Sequence, residues 1–236
     1  NLVSTINLID VMAKNNCFTI VFSSSASIYE NKKNLIDEKT KVVGLHPYAN
    51  TKIAVENLLK DVFLSDPKKW RVANLRYFNP IGAHESGLIG EDPSVNPNNI
   101  FPRIIKAASN QITELKIYGK DWPTFDGTGI RDYIHVMDLA EGHLSALNFL
   151  YLNKPNILNI NLGTGRGTSV LELIKIFEEI NKVKVPYSFV DRRKGDSAIV
   201  VADNSLAKSL LNFVPKRDIK SMCRDGWSWH LRGLSN

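Results

Sequence analysis

The chain has 236 residues, of which 43% are hydrophobic and 23% charged, a composition typical of a globular protein with one large domain or one and a half smaller ones. No apolar run approaches the roughly 18 residues that a membrane-spanning helix needs, so we expect no span. The net charge of +6 is spread along the whole chain, which favours an anionic small ligand over nucleic acid, whose binding needs a concentrated basic face.

The cysteines and histidines predict neither a disulfide framework nor a metal site. Cys17 and Cys223 are too few for such a framework and favour a reducing compartment, so we expect a cytoplasmic protein. The five histidines lack the paired spacing of metal ligands, and we predict no metal. The chain begins at Asn1 inside an amphipathic helical pattern, and we therefore expect a fragment that lacks its N-terminal part.

The first half of the chain alternates predicted helices and strands. A helix is expected to end near Lys14, and the apolar run 18–22 is typical of a buried parallel strand, which the serines 23–25 are predicted to break. Pro47 suits the first position of a helix that continues to about Leu64. The next strand is predicted at 72–75 and ends at residues 76–78.

Residues 79–98 are rich in Gly, Pro, Asn and Asp and lack periodicity, which predicts a long functional loop. The later elements are three helices, two strands and a polar C-terminal region. The helices are expected at 100–109, 136–152 and 169–180, and the strands at 115–118 and 157–162. This alternation predicts an α/β fold with a doubly wound parallel sheet, followed by a smaller α/β region.

Tyr48 and Lys52 are the pair on which the chemical prediction depends. Four residues apart on a helix, they share a face, so the ammonium can lie near the phenol oxygen. A nearby cation lowers the pKa of a phenol from about 10 by roughly 1–3 units, which would let it take a proton from an alcohol. The pattern alone is short, and an ordinary helix with Tyr48 packed and Lys52 in solvent is the more frequent explanation.

The serines 23–25 strengthen this interpretation. They follow a buried strand about 20 residues before Tyr48, and ligands of open α/β sheets bind at the carboxyl ends of the strands. A serine hydroxyl at this edge could share a substrate hydroxyl with Tyr48. The alternative is a polar turn that merely ends the strand.

Several ordered motifs together resemble the extended short-chain dehydrogenase family, and within it the UDP-glucose 4-epimerases. The likeness covers nearly the whole chain. The motifs are FSSSASIY at 22–29, PYANTK at 47–52, LRYFNPIGAH at 75–84, GEDP at 90–93, PNN at 97–99, DGTGIRDYIHVMDLA at 126–140, NLGTG at 161–165 and RRKGD at 192–196.

The resemblance implies a partial Rossmann-like sheet without its N-terminal strands, the C-terminal part of an NAD-binding domain at 1–80, and mainly a UDP-sugar-binding domain at 81–236, with segments returning to the first. It implies that Tyr48 is the base, Lys52 its electrostatic partner and Ser25 a hydroxyl relay. Cofactor contacts would come from Ser23, Ser24, Tyr48, Lys52 and Tyr77. Substrate contacts would come from Asn79, Asn99, Ile100, Lys116, Ile117, Tyr118, Arg131, Arg193, Asp196 and Val200.

A second glycine-rich segment, GTGRG at 163–167, superficially resembles a dinucleotide fingerprint between a strand and a helix. Its spacing is wrong, and Ser169 with Glu172 forms a good capping box for the next helix. We therefore do not assign the cofactor to it. The fingerprint with which the family opens would lie before Asn1, which puts NAD binding by this chain alone in doubt.

The implied activity interconverts UDP-glucose and UDP-galactose in galactose metabolism, with bound NAD, in a protein whose relatives are commonly homodimers. Val200 replaces a bulky tyrosine of some epimerases, which predicts that N-acetylated UDP-hexoses also fit. A sugar-nucleotide dehydratase or decarboxylase is the nearest alternative, but such enzymes place an acidic residue where this chain has Ala26 and Ser27. The second alternative is a catalytically silent fragment that binds a UDP-sugar.

Overall fold

The computed structural model describes residues 1–30, 35–92, 97, 99–193 and 195–233. These residues form two compact units, each built from three segments of the chain. Unit 1 contains residues 1–78, 140–163 and 202–214, and unit 2 contains residues 79–139, 164–201 and the chain from 215 onward. The assignment of a cofactor role to the first and a substrate role to the second stays a prediction.

Unit 1 is organised around a parallel sheet in the order β1-β2-β6, which confirms the predicted α/β fold class. The strands are β1 (Thr19–Ser25), β2 (Arg71–Tyr77) and β6 (Ile157–Leu162). The helices that accompany them are α1 (Leu2–Lys14), α2 (Pro47–Ser65), α4 (Val136–Leu152), whose first turn belongs to unit 2, and α6 (Ser205–Leu211).

Helix α2 begins where the sequence predicts and carries the candidate pair. Pro47 occupies its first turn, and the Nδ1 atom of His46 accepts a hydrogen bond from the Ala49 amide at 3.2 Å, which satisfies one of the unpaired N–H groups of a helix start. The apolar side of α2 packs on the sheet in a core whose buried members are Ile9, Ile20, Val55, Leu59, Trp70 and Val72.

Two predicted boundaries are wrong at the strand ends. The serines 23–25 do not break the first strand but form its last three residues, paired with residues 75–77 of β2. Likewise, the predicted loop 79–98 begins with a short strand, β3 (Asn79–Ile81). Both errors have one cause, since a parallel ladder is made by backbone groups and tolerates polar side chains at the edge of a sheet.

Unit 2 contains a mixed sheet in the order β3-β5-β7, with β9 also paired to β5, and a separate parallel pair, β4-β8. The further strands are β4 (Leu115–Tyr118), β5 (Ile130–His135), β7 (Gly167–Ser169), β8 (Tyr187–Val190) and β9 (Ile199–Val200). Its complete helices are α3 (Ile100–Ala108), α5 (Val170–Asn181) and α7 (Ile219–Gly233).

Helix α7 and strands β3, β5, β7, β8 and β9 of unit 2 were not predicted, whereas β4 was predicted at 115–118. The buried residues of α7 include Met222, Cys223, Gly226 and Trp227, which are spaced as one helix face but stand among charged residues. A Cβ atom on Gly226 would lie 2.4 Å from the Phe101 ring, so this glycine allows close packing. None of the helices in the described ranges has the length and apolar character that crossing a membrane requires.

Candidate active site

Tyr48 and Lys52 lie together at the carboxyl-end edge of the unit 1 sheet. The Nζ atom of Lys52 is 5.5 Å from the centre of the Tyr48 ring, and it donates a hydrogen bond of 2.8 Å to the main-chain oxygen of Ser23. Tyr48 is 47% exposed, whereas Lys52 is buried at 7%. A half-exposed tyrosine ring therefore lies beside a buried cation.

Two aromatic rings and the Ser23 main-chain oxygen lie close to the Lys52 ammonium. The ring of Phe22 lies 5.0 Å from Nζ, and burial lowers the pKa of the lysine. An ammonium has three N–H donors, and among acceptors in the described ranges the Ser23 oxygen takes one. The remaining N–H donors of the ammonium suit the hydroxyl groups of a nucleotide ribose. The predicted cofactor role of Lys52 requires contacts of this kind.

Tyr77 and Ser23 belong to the same side of the sheet edge. The Oγ atom of Ser23 lies 2.9 Å from Nε2 of His143 on α4, and the His143 ring centre is 6.2 Å from that of Tyr77. Burial raises the pKa of Tyr77, the neighbouring Tyr48 adds to the rise, and the hydrogen bond with Ser23 opposes it. Tyr77 is therefore held as a neutral phenol close to the candidate base.

Ser25 is half-buried on the same edge, with a local hydrogen-bond pattern. Its hydroxyl donates to Oγ of Ser27 at 2.9 Å and accepts from the Ser27 amide at 3.2 Å. This fixes the serine at the entrance to a short 3₁₀ helix, Ala26–Ile28. The hydroxyl is placed beside the sheet edge, and its role as a relay stays a prediction.

Ser24 differs from its neighbours, and its side chain gives no support to a cofactor contact. It is fully buried, and its hydroxyl donates to Oε1 of Glu56 at 2.5 Å. The reason is the alternation of a strand, because successive side chains point to opposite faces of the sheet. Ser23 and Ser25 therefore share one face, and Ser24 faces the interior beneath α2.

Ser24 is part of a buried polar network that crosses the sheet. Register aligns it with Arg76 on β2 and Asn161 on β6. The Arg76 guanidinium donates two hydrogen bonds to Glu56, at 3.0 and 2.6 Å, and one to Tyr29 at 3.1 Å. The Tyr29 phenol donates to Oδ1 of Asn161 at 2.7 Å. This network couples α2 to all three strands, and a single sequence gives little sign of it.

Unit 2 contains a cavity of about 200 Å³ that brings together nine of the ten predicted substrate residues. Its floor is formed by strands β3, β4 and β5, and its rim by the start of α3 and the segment before β9. The predicted residues that line it are Asn79, Asn99, Ile100, Lys116, Ile117, Tyr118, Arg131, Arg193 and Asp196. Their contact with a substrate stays a prediction.

The cavity is strongly cationic. Four basic side chains line it and one acidic side chain, Asp196, among the described residues. The Arg193 guanidinium lies 3.7 Å from the centre of the Tyr118 ring, and hydrogen bonds from Arg193 and Arg103 lower the pKa of that phenol. Guanidinium groups match phosphate oxygens in shape and charge, so the lining suits a phosphorylated ligand.

Some cavity residues were missed by the sequence analysis. Arg103 lies three residues after Ile100 on α3, a spacing that places both on one helix face and could have identified it. Tyr133 also lines the cavity, and its buried hydroxyl has no hydrogen-bond partner within the described part of the chain. No sequence pattern identifies Tyr133, because β5 itself was not predicted.

Val200 and three motif residues stand apart from this group. Val200 lies in β9, paired with Arg131, and does not line the cavity. Three residues of the quoted motifs, at positions 93, 98 and 194, lie outside the described residues.

The glycine-rich segment after β6 is occupied by the protein itself. The amides of Thr164 and Gly165 donate to the buried carboxylate of Asp132 at 2.8 and 2.9 Å, and the Arg166 amide donates to Oγ1 of Thr164 at 3.2 Å. The capping box of Ser169 and Glu172 is present as predicted. These amides are not available to a phosphate, which supports leaving the cofactor out of this segment.

Comparison with known proteins gives one consistent answer. Residues 1–161 match the NAD dependent epimerase/dehydratase family. A bifunctional UDP-glucose 4-epimerase and UDP-xylose 4-epimerase of Pisum sativum is 47% identical over 232 residues, which are 97% of this chain and 66% of the pea protein. The UDP-glucose 4-epimerase of Bacillus subtilis (strain 168) is 47% identical over 230 residues, 97% of this chain and 67% of its own length.

The solved structures agree with the sequence relatives. The UDP-glucose-4-epimerase of Stenotrophomonas maltophila, with bound NAD and formylated UDP-arabinopyranose, has a TM-score of 0.95 at 44% identity and covers all of this chain and 69% of its own. The enzyme of Bifidobacterium longum, in complex with NAD⁺ and UDP, has a TM-score of 0.91 at 43% identity, with coverages of 98% and 69%. The chain spans about two-thirds of the length of the relatives that it matches.

Proposed function

Because this chain belongs to the NAD dependent epimerase/dehydratase family, we propose that it carries the catalytic and UDP-sugar-binding residues of a UDP-glucose 4-epimerase. The observation that carries the proposal is the position of Lys52, whose ammonium lies 5.5 Å from the Tyr48 ring at the ligand-binding edge of a parallel sheet. The epimerases of pea and Bacillus subtilis, each 47% identical to it, support the same activity.

The proposed chemistry assigns one task to each residue of the edge. NAD, when bound, supplies the capacity to accept a hydride from a carbon and to return it. Tyr48 takes the proton of the sugar C4 hydroxyl and gives it back, while the charge of Lys52 stabilises the phenolate. Ser25 shares the substrate hydroxyl with Tyr48. The spare donors of Lys52 hold the ribose, and Tyr77 borders the cofactor as a neutral phenol.

The proposed role of the unit 2 cavity is to hold uridine diphosphate. Epimerisation needs a tight grip on the nucleotide and a loose one on the sugar, since the sugar must present both faces. The cationic lining suits this purpose because its contacts would be made to the diphosphate, remote from C4. Arg103 joins Arg131 and Arg193 in this proposed role. Acceptance of N-acetylated sugars stays a prediction that rests on the small side chain of Val200.

The proposal includes a biological setting. We propose a role in galactose metabolism in a reducing, cytoplasmic compartment, which the two free cysteines favour. A homodimer is proposed because α1 presents exposed apolar side chains, a feature of protein interfaces. Sedimentation velocity would test it. The exposed residues are Leu2, Val3, Ile6, Leu8 and Val11.

The experiment that tests the activity compares the full-length protein with its Tyr48→Phe variant. We expect the wild type to convert UDP-galactose to UDP-glucose, and the variant to lose turnover by about 10²–10⁴-fold, the usual contribution of a general base. UDP binding, measured by calorimetry, should survive because the cavity residues are unchanged. A wild type without epimerase activity would contradict the proposed function, and near-normal turnover by the variant would remove Tyr48 from its role.

A further inference from the structure

His143 reaches the candidate active site from α4, a helix that contains none of the residues with a role in the proposed chemistry. It lies on α4, directly after Gly142, in the part of that helix that belongs to unit 1. A Cβ atom on Gly142 would lie 2.8 Å from Cδ1 of Leu162, the last residue of β6, so the glycine permits close approach of α4 to the sheet. This approach places the His143 imidazole beside the carboxyl ends of the strands.

The imidazole meets Ser23, which contacts two of the candidate site residues. Nε2 of His143 lies 2.9 Å from Oγ of Ser23, and the His143 ring centre is 6.2 Å from that of Tyr77. The side chain of the same serine lowers the pKa of the Tyr77 phenol, and its carbonyl oxygen accepts a hydrogen bond of 2.8 Å from the Lys52 ammonium. Ser23 therefore lies between His143 and these two site residues.

We propose that His143 is a positioning residue that fixes the Ser23 side chain and, through it, the Tyr77 phenol. This inference rests on the proposed function for its kinetic consequence but not for the contact itself. His143 acts at one remove, through its hydrogen bond with Ser23.

The physical basis is the freedom of a serine side chain. A serine side chain has three staggered positions, and a hydrogen bond favours the one that makes it. The imidazole selects the position of Oγ from which Ser23 acts on Tyr77. Two proton arrangements satisfy the pair: His143 donates to Ser23, or Ser23 donates to His143. Either arrangement keeps the phenol oriented at the sheet edge.

The first test is kinetic and uses the full-length protein carrying NAD. We expect His143→Leu to lower kcat about tenfold, the effect of one lost hydrogen bond in the transition state, with KM for UDP-galactose changed less than about twofold. His143→Gln should recover most of kcat, because its amide reaches the position of Nε2. Asn148→Ala, an exposed change on the same helix, is the matched control and should behave as wild type.

A double-mutant cycle tests whether the effect passes through Ser23. In a Ser23→Ala background, His143→Leu should cost less than about twofold, because the group that it positions is already gone. Independent, multiplying losses would overturn the proposal, as would a normal kcat for His143→Leu or an equal loss in Asn148→Ala. If His143→Leu does not fold, His143→Ala, which also removes the imidazole, takes its place in the cycle.

A second readout does not depend on activity. In nitrogen NMR of the chain, the Nε2 resonance of His143 should shift in Ser23→Ala and stay unchanged in Ser27→Ala, a control serine on the same segment. An unchanged resonance in Ser23→Ala would overturn the contact even in an active enzyme. A shifted resonance in a protein without epimerase activity would support the contact and reject the proposed function, so the two failures are distinguishable.

Discussion

Adjacent serines of β1 enter two different environments, and the contrast separates structure from chemistry. On one face of the sheet, Ser24 joins Glu56 and Arg76 in a network that is buried and internally hydrogen-bonded. On the other face, Ser23 lies beside Lys52, whose ammonium has one acceptor among the described residues, and the half-exposed Tyr48 ring lies next to that lysine. Satisfied polar groups stabilise a fold, and incompletely satisfied ones remain available to a ligand.

The contrast teaches that polarity alone does not mark a functional residue in this chain. The SSS motif at 23–25 alternates between the two faces because side chains alternate along a strand. The resemblance assigned all three serines to function, whereas the geometry gives the middle one to the interior. Variants on the two faces should therefore fail in different ways, and the following predictions exploit this difference.

Glu56→Gln should have the largest effect, and on stability. Arg76 and Glu56 are 5% and 10% exposed, and removing one member of a buried ion pair leaves the other uncompensated. We expect the free energy of unfolding to fall by about 3–5 kcal/mol in urea denaturation. Asp61→Asn, on the exposed side of α2, is the control. A loss below about 1 kcal/mol would show that the network does not hold α2 to the sheet.

Lys52→Met should give the opposite result. Turnover should fall by about 10²-fold, because the phenolate of Tyr48 loses its cation. The free energy of unfolding should change by less than about 1 kcal/mol or rise, since a buried ammonium without a carboxylate partner in the described ranges is itself costly. The kcat value measures the loss of turnover, and the midpoint of urea denaturation measures the change in stability. A large loss of stability would place Lys52 with the structural network instead.

Tyr29→Phe should reveal the network through pH. Burial raises the pKa of Tyr29 to about 12, although Arg76 beside it opposes the rise. In the unfolded chain the phenol titrates near pH 10, so its contribution is fully present below pH 10 and is lost as pH rises towards about 12. The wild type should lose about 2 kcal/mol more than the variant across this interval. If urea denaturation at pH 10 and at pH 12 showed the same loss of unfolding free energy in the wild type and in the variant, the prediction would be wrong.

The paired variants Ser24→Ala and Ser25→Ala should have the smallest effects. The first should change stability, and the second should change turnover. Ser24→Ala should lower stability by about 1 kcal/mol, leaving kcat unchanged, because it removes one buried hydrogen bond. Ser25→Ala should lower kcat about tenfold with little change in stability, because its hydroxyl would lose contact with the substrate. A Ser24→Ala protein that stays stable but releases its cofactor would restore the original assignment of that serine.

The sequence predicted the parts of the fold that carry strong periodicity. Helices α1, α2 and α4 and strand β6 have ends within a residue or two of those predicted, because apolar spacing and Pro47 mark them clearly. The failures are strands β3, β5, β7, β8 and β9 and helices α6 and α7, of which β3, β7 and β9 have only two or three residues. Strands of two or three residues contain too few side chains to show alternation, and they form only because a neighbouring strand offers its backbone.

The candidate site divides in the same way. Tyr48 and Lys52 could be paired from spacing alone, since one helix holds both. The nine cavity residues could be grouped only through the family resemblance, because they come from separate segments of unit 2 that nothing in the local sequence connects. His143 and Glu56 could not be identified at all. Each is a single residue whose role depends on a long-range contact with β1.

The turn at Thr164 and Gly165 carries its own counter-ion. Its amides converge as they would on a phosphate, yet the group that they bind is the carboxylate of Asp132, 32 residues earlier for Thr164 and 33 for Gly165. An anion that belongs to the same chain cannot diffuse away, so Asp132 competes with any phosphate for these amides. A glycine-rich turn can therefore bind a side chain of its own protein as readily as a ligand, and the anion that its amides bind decides which role it has.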